Sequence, residues 1–121
     1  GDTYMVLELL YGMMLPSGND AATMIAEIGG CMVKAKQDSN IDITLFEDEE
    51  WLSQAIKEGP TVGYYIREMN RLGKIVGLLD TNLVNPHGLS NRSSHSTAYD
   101  LAKLCTYSMK NPIFRKIVNT Q

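Results

Sequence analysis

The sequence predicts an all-α domain of about five or six helices, with at most a small strand pair. Three observations carry that expectation. Apolar residues recur at three- and four-residue spacing over most of the chain. Helix start and stop signals punctuate those stripes. Only one short stretch alternates apolar with polar residues. The 121 residues suit one compact domain, and 44% hydrophobic against 21% charged residues is enough to bury a core. No apolar run reaches the ~18 residues of a membrane span, and the N-terminus carries no basic, apolar, small-residue signal pattern. With 14 Asp+Glu against 11 Lys+Arg, the net charge of -3 is spread along the chain. That leaves no basic footprint for nucleic acid. Cys31 and Cys105 both sit among apolar residues and read as buried free thiols.

Val6, Leu9, Leu10 and Met13 form the first helical stripe, which Pro16 stops. A second helix begins near Asn19, with Asp20 in its first turn complementing the dipole. Ala21, Ala22, Ile25, Ile28 and Met32 line its apolar face, and Gly29-Gly30 weakens or kinks its end. Ile41 to Phe46 alternates like a short strand. Glu47 to Glu50 then opens an acidic amphipathic helix that Gly59-Pro60 breaks.

Another helix starts at about Thr61 with Val62, Tyr65, Ile66, Met69 and Leu72 on one side, and Gly73 is its expected C-terminal glycine. Residues 77 to 95, rich in Asn, Ser, Gly and Pro, read as irregular. Thr97-Ala98-Tyr99-Asp100 fits a capping box ahead of the stripe Ala98, Leu101, Ala102 and Cys105. Asn111-Pro112 caps a short last helix to Val118, with proline at the position that tolerates it. Leu9, Leu10, Ile25, Ile66, Met69 and Leu101 are the expected common core.

Three ordered blocks say more than periodicity can. Leu9-Leu10-Tyr11-Gly12-Met13-Met14-Leu15-Pro16-Ser17-Gly18-Asn19-Asp20-Ala21-Ala22 resembles the stretch around the Ser-x-Asn motif of low-molecular-weight penicillin-binding proteins, the serine-type D-Ala-D-Ala carboxypeptidases. Asn82-Leu83-Val84-Asn85-Pro86-His87-Gly88-Leu89 is similar to that family's Asn-Pro-His-Gly-Leu segment. His95 to Ala102 resembles the helix after it, and Asn111 to Val118 continues the match.

The resemblance implies the helical subdomain of the penicillin-recognising serine hydrolase fold, the β-lactamase/transpeptidase-like fold. Residues 1–121 would be one such subdomain of a larger α/β plus α enzyme, with residues 33–60 an insertion relative to the family. In that family Ser-x-x-Lys, Ser-x-Asn and Lys-Thr-Gly converge on one cleft. The first serine attacks the penultimate D-Ala carbonyl, assisted by its lysine, and an acyl-enzyme forms. By resemblance, Ser17 and Asn19 are the catalytic residues of this chain. Ser17 would join the proton relay to the leaving amine, and Asn19 would offer its amide to a substrate carbonyl. Gly18 would let both side chains reach one side of a tight turn.

No serine here has lysine three residues on, and no lysine precedes Thr-Gly. The nucleophile, its base and the carboxylate-binding strand would lie in an α/β half outside this chain, so the chain alone is expected to be inactive. The implied partners are that half and a peptidoglycan stem peptide or β-lactam. The chain alone is expected to self-associate. The resemblance implies an exported, envelope-associated protein. The alternative is a non-catalytic helical binding or scaffold domain from the same family.

No cofactor or metal site is expected, because His87, His95, Cys31 and Cys105 lack ligand spacing. His87 is expected to hydrogen-bond within its loop, and His95 is expected to be structural. Asn91-Arg92-Ser93 matches a glycosylation acceptor, a triplet that chance produces often.

Overall fold

The computed structural model describes residues 3–38 and 61–121. Five helices lie there: α1 (Val6–Met14), α2 (Asn19–Gln37), α3 (Val62–Val76), α4 (Ala98–Ser108) and α5 (Pro112–Val118). The only β pairing among the described residues is an isolated antiparallel bridge between Asn82 and His95. The all-α expectation holds. The strand expected over Ile41 to Phe46 and the acidic helix from Glu47 lie outside the described residues.

α2 is the central element, packed against both α1 and α3. The reason is its small-residue face. Ala22, Ala26, Gly30, Cys31 and Ala35 are buried along it, so neighbouring backbones can approach closely. At Gly30 there is no room for a side chain, because a Cβ would run into the Thr61 carbonyl. At Gly29 a Cβ would stand 2.6 Å from the Tyr65 ring. The glycine pair expected to weaken the helix end therefore marks a helix crossing. The helix continues through it to Gln37, so Val33 to Gln37, the first part of the expected 33–60 insertion, is helical.

The end of α3 also corrects the sequence reading. Gly73 lies inside the helix, and Gly77 at φ 91° terminates it. The Gly77 N–H donates to the Lys74 carbonyl at 3.1 Å and the Leu78 N–H to the Gly73 carbonyl at 2.9 Å. This is a Schellman ending, and the Leu78 side chain folds back over Gly73. Leu78 is buried as a result.

The buried apolar set among the described residues is Leu9, Ala22, Ala26, Cys31, Ala35, Leu78 and Ile117. Of the expected core, Leu9 is buried, Leu10, Ile25, Ile66 and Met69 are half-buried, and Leu101 is exposed. Met32 and Leu72, read as inward-facing, are exposed as well. The two cysteines split: Cys31 is buried and Cys105 is exposed, both as free thiols. Burial pushes the Cys31 thiol up, with the Thr61 hydroxyl and Lys34 working against that rise.

Candidate functional site

Ser17-Gly18-Asn19 forms the sharp connection between α1 and α2. The Leu15 N–H closes α1 onto the Tyr11 carbonyl at 3.1 Å, and Pro16 ends the ladder. Ser17 then takes φ 57°, the only non-glycine positive φ among the described residues. A left-handed residue with a Cβ is disfavoured by roughly 1–2 kcal/mol, so the turn holds a strained serine. The Gly18 N–H donates back to the Gly12 carbonyl at 3.1 Å, closing the turn.

Gly18 owes its identity to crowding. Its φ of -69° suits any residue, but a Cβ there would meet the Gly12 carbonyl oxygen at 2.5 Å. Gly18, not Asn19, is the N-cap of α2, and Asn19 is the first helical residue. No side-chain cap bond is made at this end. Both Ser17 and Asn19 are exposed. A hydroxyl and a primary amide, two residues apart at one helix junction, supply two kinds of donor and acceptor to an approaching ligand.

The second block, in the α3–α4 connection, is held almost entirely by side-chain hydrogen bonds. Asn70, inside α3, pairs with both backbone groups of Leu83. Its amide nitrogen donates to the Leu83 carbonyl at 2.7 Å, and its oxygen accepts the Leu83 N–H at 2.8 Å. Asn85 accepts the Gly88 N–H at 2.8 Å and donates to the Leu89 carbonyl at 2.9 Å. Gly88 at φ 77° makes that reversal possible. His87 bonds within its loop as expected, its Nδ1 accepting the Leu89 N–H at 3.3 Å. His95 joins the Asn82 bridge through its backbone, and its ring lies 3.8 Å from Asp80.

Asp100 departs from the expected box. Its N–H donates to the Thr97 hydroxyl at 3.1 Å, as a cap requires. Its carboxylate instead accepts the Thr81 hydroxyl at 2.7 Å and the Asp80 N–H at 2.8 Å. Thr81 gives its one proton to Asp100, so the Ser96 hydroxyl, 2.9 Å away, donates to Thr81. The Thr81 hydrogen bond, followed by the backbone bonds and nearby Lys103, holds the Asp100 carboxyl below the usual range despite its burial. Sequence reasoning missed this anchor and Asn70. The available signal was an asparagine inside an apolar helical stripe, where that residue type competes with the helix unless it has another task.

Among the described residues no group of three or more His, Cys, Asp or Glu side chains could hold a metal ion. No helix there is long and apolar enough to cross a membrane.

Comparison with known proteins gives the family of the chain. Residues 55–121 match the family described as D-alanyl-D-alanine carboxypeptidase. A D-alanyl-D-alanine carboxypeptidase of a Streptomyces species is 31% identical over 121 residues, which is 100% of this chain and 34% of that protein. The carboxypeptidase DacF of Bacillus subtilis is 28% identical over 99% of this chain and 23% of its own length. DacB2 of Mycobacterium tuberculosis is 29% identical over 97% of this chain and 31% of its own length. The chain thus spans about a third or less of these relatives. With more than half of its residues matched to the family and nearly all of them aligned to its members, the chain belongs to the D-alanyl-D-alanine carboxypeptidase family.

Proposed function

We propose that this chain is the helical part of a serine-type D-Ala-D-Ala carboxypeptidase, and that Ser17 and Asn19 are its contribution to the active site. The strained turn carries this reading. Ser17 sits at φ 57°, and both side chains are exposed. Strain of this kind persists where the surroundings over-determine it, and it clusters at functional sites.

The reaction is acyl transfer in two halves. A serine outside this chain attacks the penultimate D-Ala carbonyl, and the C–N bond to the terminal D-Ala breaks. The leaving amine takes a proton through the Ser17 hydroxyl. Water then attacks the ester and restores the serine. Asn19 donates its amide N–H to a substrate carbonyl and keeps the peptide in register. A β-lactam enters by the same attack and stays as the acyl-enzyme.

The test compares two proteins. Alone, the chain gains no mass after incubation with excess labelled penicillin, because Asp20, not a lysine, stands three residues after Ser17. A stoichiometric adduct on the 121-residue chain would overturn the assignment of roles. In a longer protein bearing Ser-x-x-Lys and Lys-Thr-Gly, Ser17→Ala or Asn19→Ala slows acylation by orders of magnitude and leaves the melting temperature unchanged. Unchanged acylation would leave the non-catalytic module as the better reading.

The isolated chain also self-associates in this proposal. Tyr4, Met5 and Val6 at the start of α1 are 54%, 66% and 62% exposed, and contiguous apolar surface of this kind drives association. Sedimentation of a monomer at high concentration would refute this.

A further inference from the structure

A groove of about 320 Å³ runs between the end of α3 and one face of α4. Its prominent walls are Tyr99 and Tyr107, 68% and 56% exposed. They lie just over two helical turns apart, about 12 Å along the axis. More than half exposed, both offer ring and hydroxyl to a ligand. Val76 of α3 contributes the apolar side of the opening.

The polar groups are arranged around those rings. Lys103 stands between the tyrosines, its ammonium 4.8 Å from the Tyr99 ring centre and donating to the Gly77 carbonyl at 3.0 Å. Two contacts fix this charge in place while leaving N–H donors free. Lys110 lies 5.9 Å from the Tyr107 ring centre at the far end. The Thr106 hydroxyl donates to the Ala102 carbonyl at 2.8 Å, so it faces a ligand as an acceptor. Among the described residues no acidic side chain lines the groove. Asp100, on the same helix, is buried with its carboxylate bonded to Thr81 and Asp80.

We propose that this groove binds an acidic saccharide, with sugar rings stacked on Tyr99 and Tyr107 and the anionic group held by Lys103 and Lys110. The size lies near the lower end of small-ligand sites, room for one or two sugar rings and not for a folded partner. A bare inorganic anion would leave both aromatic faces in water. A purely apolar ligand would mask the ammoniums without pairing them, and burying an unpaired charge is unfavourable. A pyranose has an apolar C–H face for each ring and hydroxyls for Thr106 and the phenols, and its carboxylate matches the lysines. The site stands independently of the role of Ser17 and Asn19.

The test is titration of the isotope-labelled chain with trigalacturonic acid, followed by amide chemical shifts. Maltotriose serves as the neutral sugar, and sodium sulfate at matched ionic strength as the bare anion. Trigalacturonate shifts amides at residue 76 and residues 99–110, with Ser17 and Asn19 unmoved. Tyr107→Ala weakens binding about tenfold, and Tyr107→Leu gives the same loss should the alanine variant prove unstable. Lys110→Gln removes the preference for the acidic over the neutral sugar. No shift at tens of millimolar, equal shifts from sulfate, or equal affinity for maltotriose would each overturn the proposal.

Discussion

Replacing Gly30 with alanine removes nothing and adds one methyl group, yet it should be among the more damaging single changes in this fold. In isolation the substitution favours helix by about 1 kcal/mol. The structure reverses that sign. The added Cβ would run into the Thr61 carbonyl oxygen, would lie 2.5 Å from the carbonyl carbon, and would lie 3.1 Å from the Thr61 Cβ. All three obstacles are backbone or branch-point atoms of a residue only 3% exposed, so no flexible side chain can swing aside. α2 and the start of α3 must separate, which loosens the small-residue crossing along Ala22, Ala26 and Cys31. Overpacking of this kind costs about 3 kcal/mol, leaving a net loss of about 2 kcal/mol. At about 4 °C per kcal/mol for a domain of this size, the melting temperature falls by roughly 8 °C.

Gly63→Ala supplies the matched control. It sits in the first turns of α3, and a Cβ there meets nothing within 4 Å among the described residues. The same chemical change should stabilise by about 0.5 kcal/mol and raise the melting temperature by roughly 2 °C. Thermal unfolding followed by helical circular dichroism separates the two variants. A Gly30→Ala protein melting at or above the parent temperature would refute the close crossing on which the fold argument rests.

Protonating Asp100 should release the segment from Asp80 to Ser96. Its folded pKa is depressed, chiefly by the Thr81 hydrogen bond, so its contribution is fully present above the ordinary value of 3.8 and is lost as pH falls through the depressed folded value. Hydrogen exchange at the Asp80, Asn82 and Leu83 amides should rise in that acid window, and Asp100→Asn should raise it at neutral pH; protection indifferent to both would refute the anchor. In the native chain one thiol, Cys105, should react promptly with a disulfide reagent. Cys31 should react only on unfolding, and two prompt thiols would contradict its burial.

Local chemistry made much of this fold legible. Thr97 and Asn111 do cap their helices, accepting from the Asp100 N–H at 3.1 Å and the Ile113 N–H at 2.8 Å, because caps depend on residues within a turn of one another. Gly29-Gly30 was misread for the opposite reason. What forbids a side chain at Gly30 is Thr61, far along the chain, and no local propensity encodes that neighbour. Gly73 and Gly77 present the same residue type one turn apart, and the choice falls to Leu78, which buries itself by folding back over Gly73. Asp100 carries the right residue for a box, but the better partners come from a segment its own helix cannot reveal. Leu101 and Cys105 sit on a stripe whose neighbours leave them uncovered. At the candidate site, the break at Pro16 and the helix start near Asn19 were readable from the sequence, whereas the strain at Ser17 was not.

That strain has a consequence for how the chain responds to selection. At φ 57° the residues that sit most comfortably are glycine and asparagine. A library screened for thermal stability alone should therefore enrich Gly and Asn at position 17, recovering roughly 1 kcal/mol by relaxing the backbone. Each such winner lacks the hydroxyl. Under the relay role proposed for Ser17, a screen for resistance to heat and a screen for turnover would pull this one codon in opposite directions, and stabilising the scaffold would then mean holding position 17 fixed while searching elsewhere.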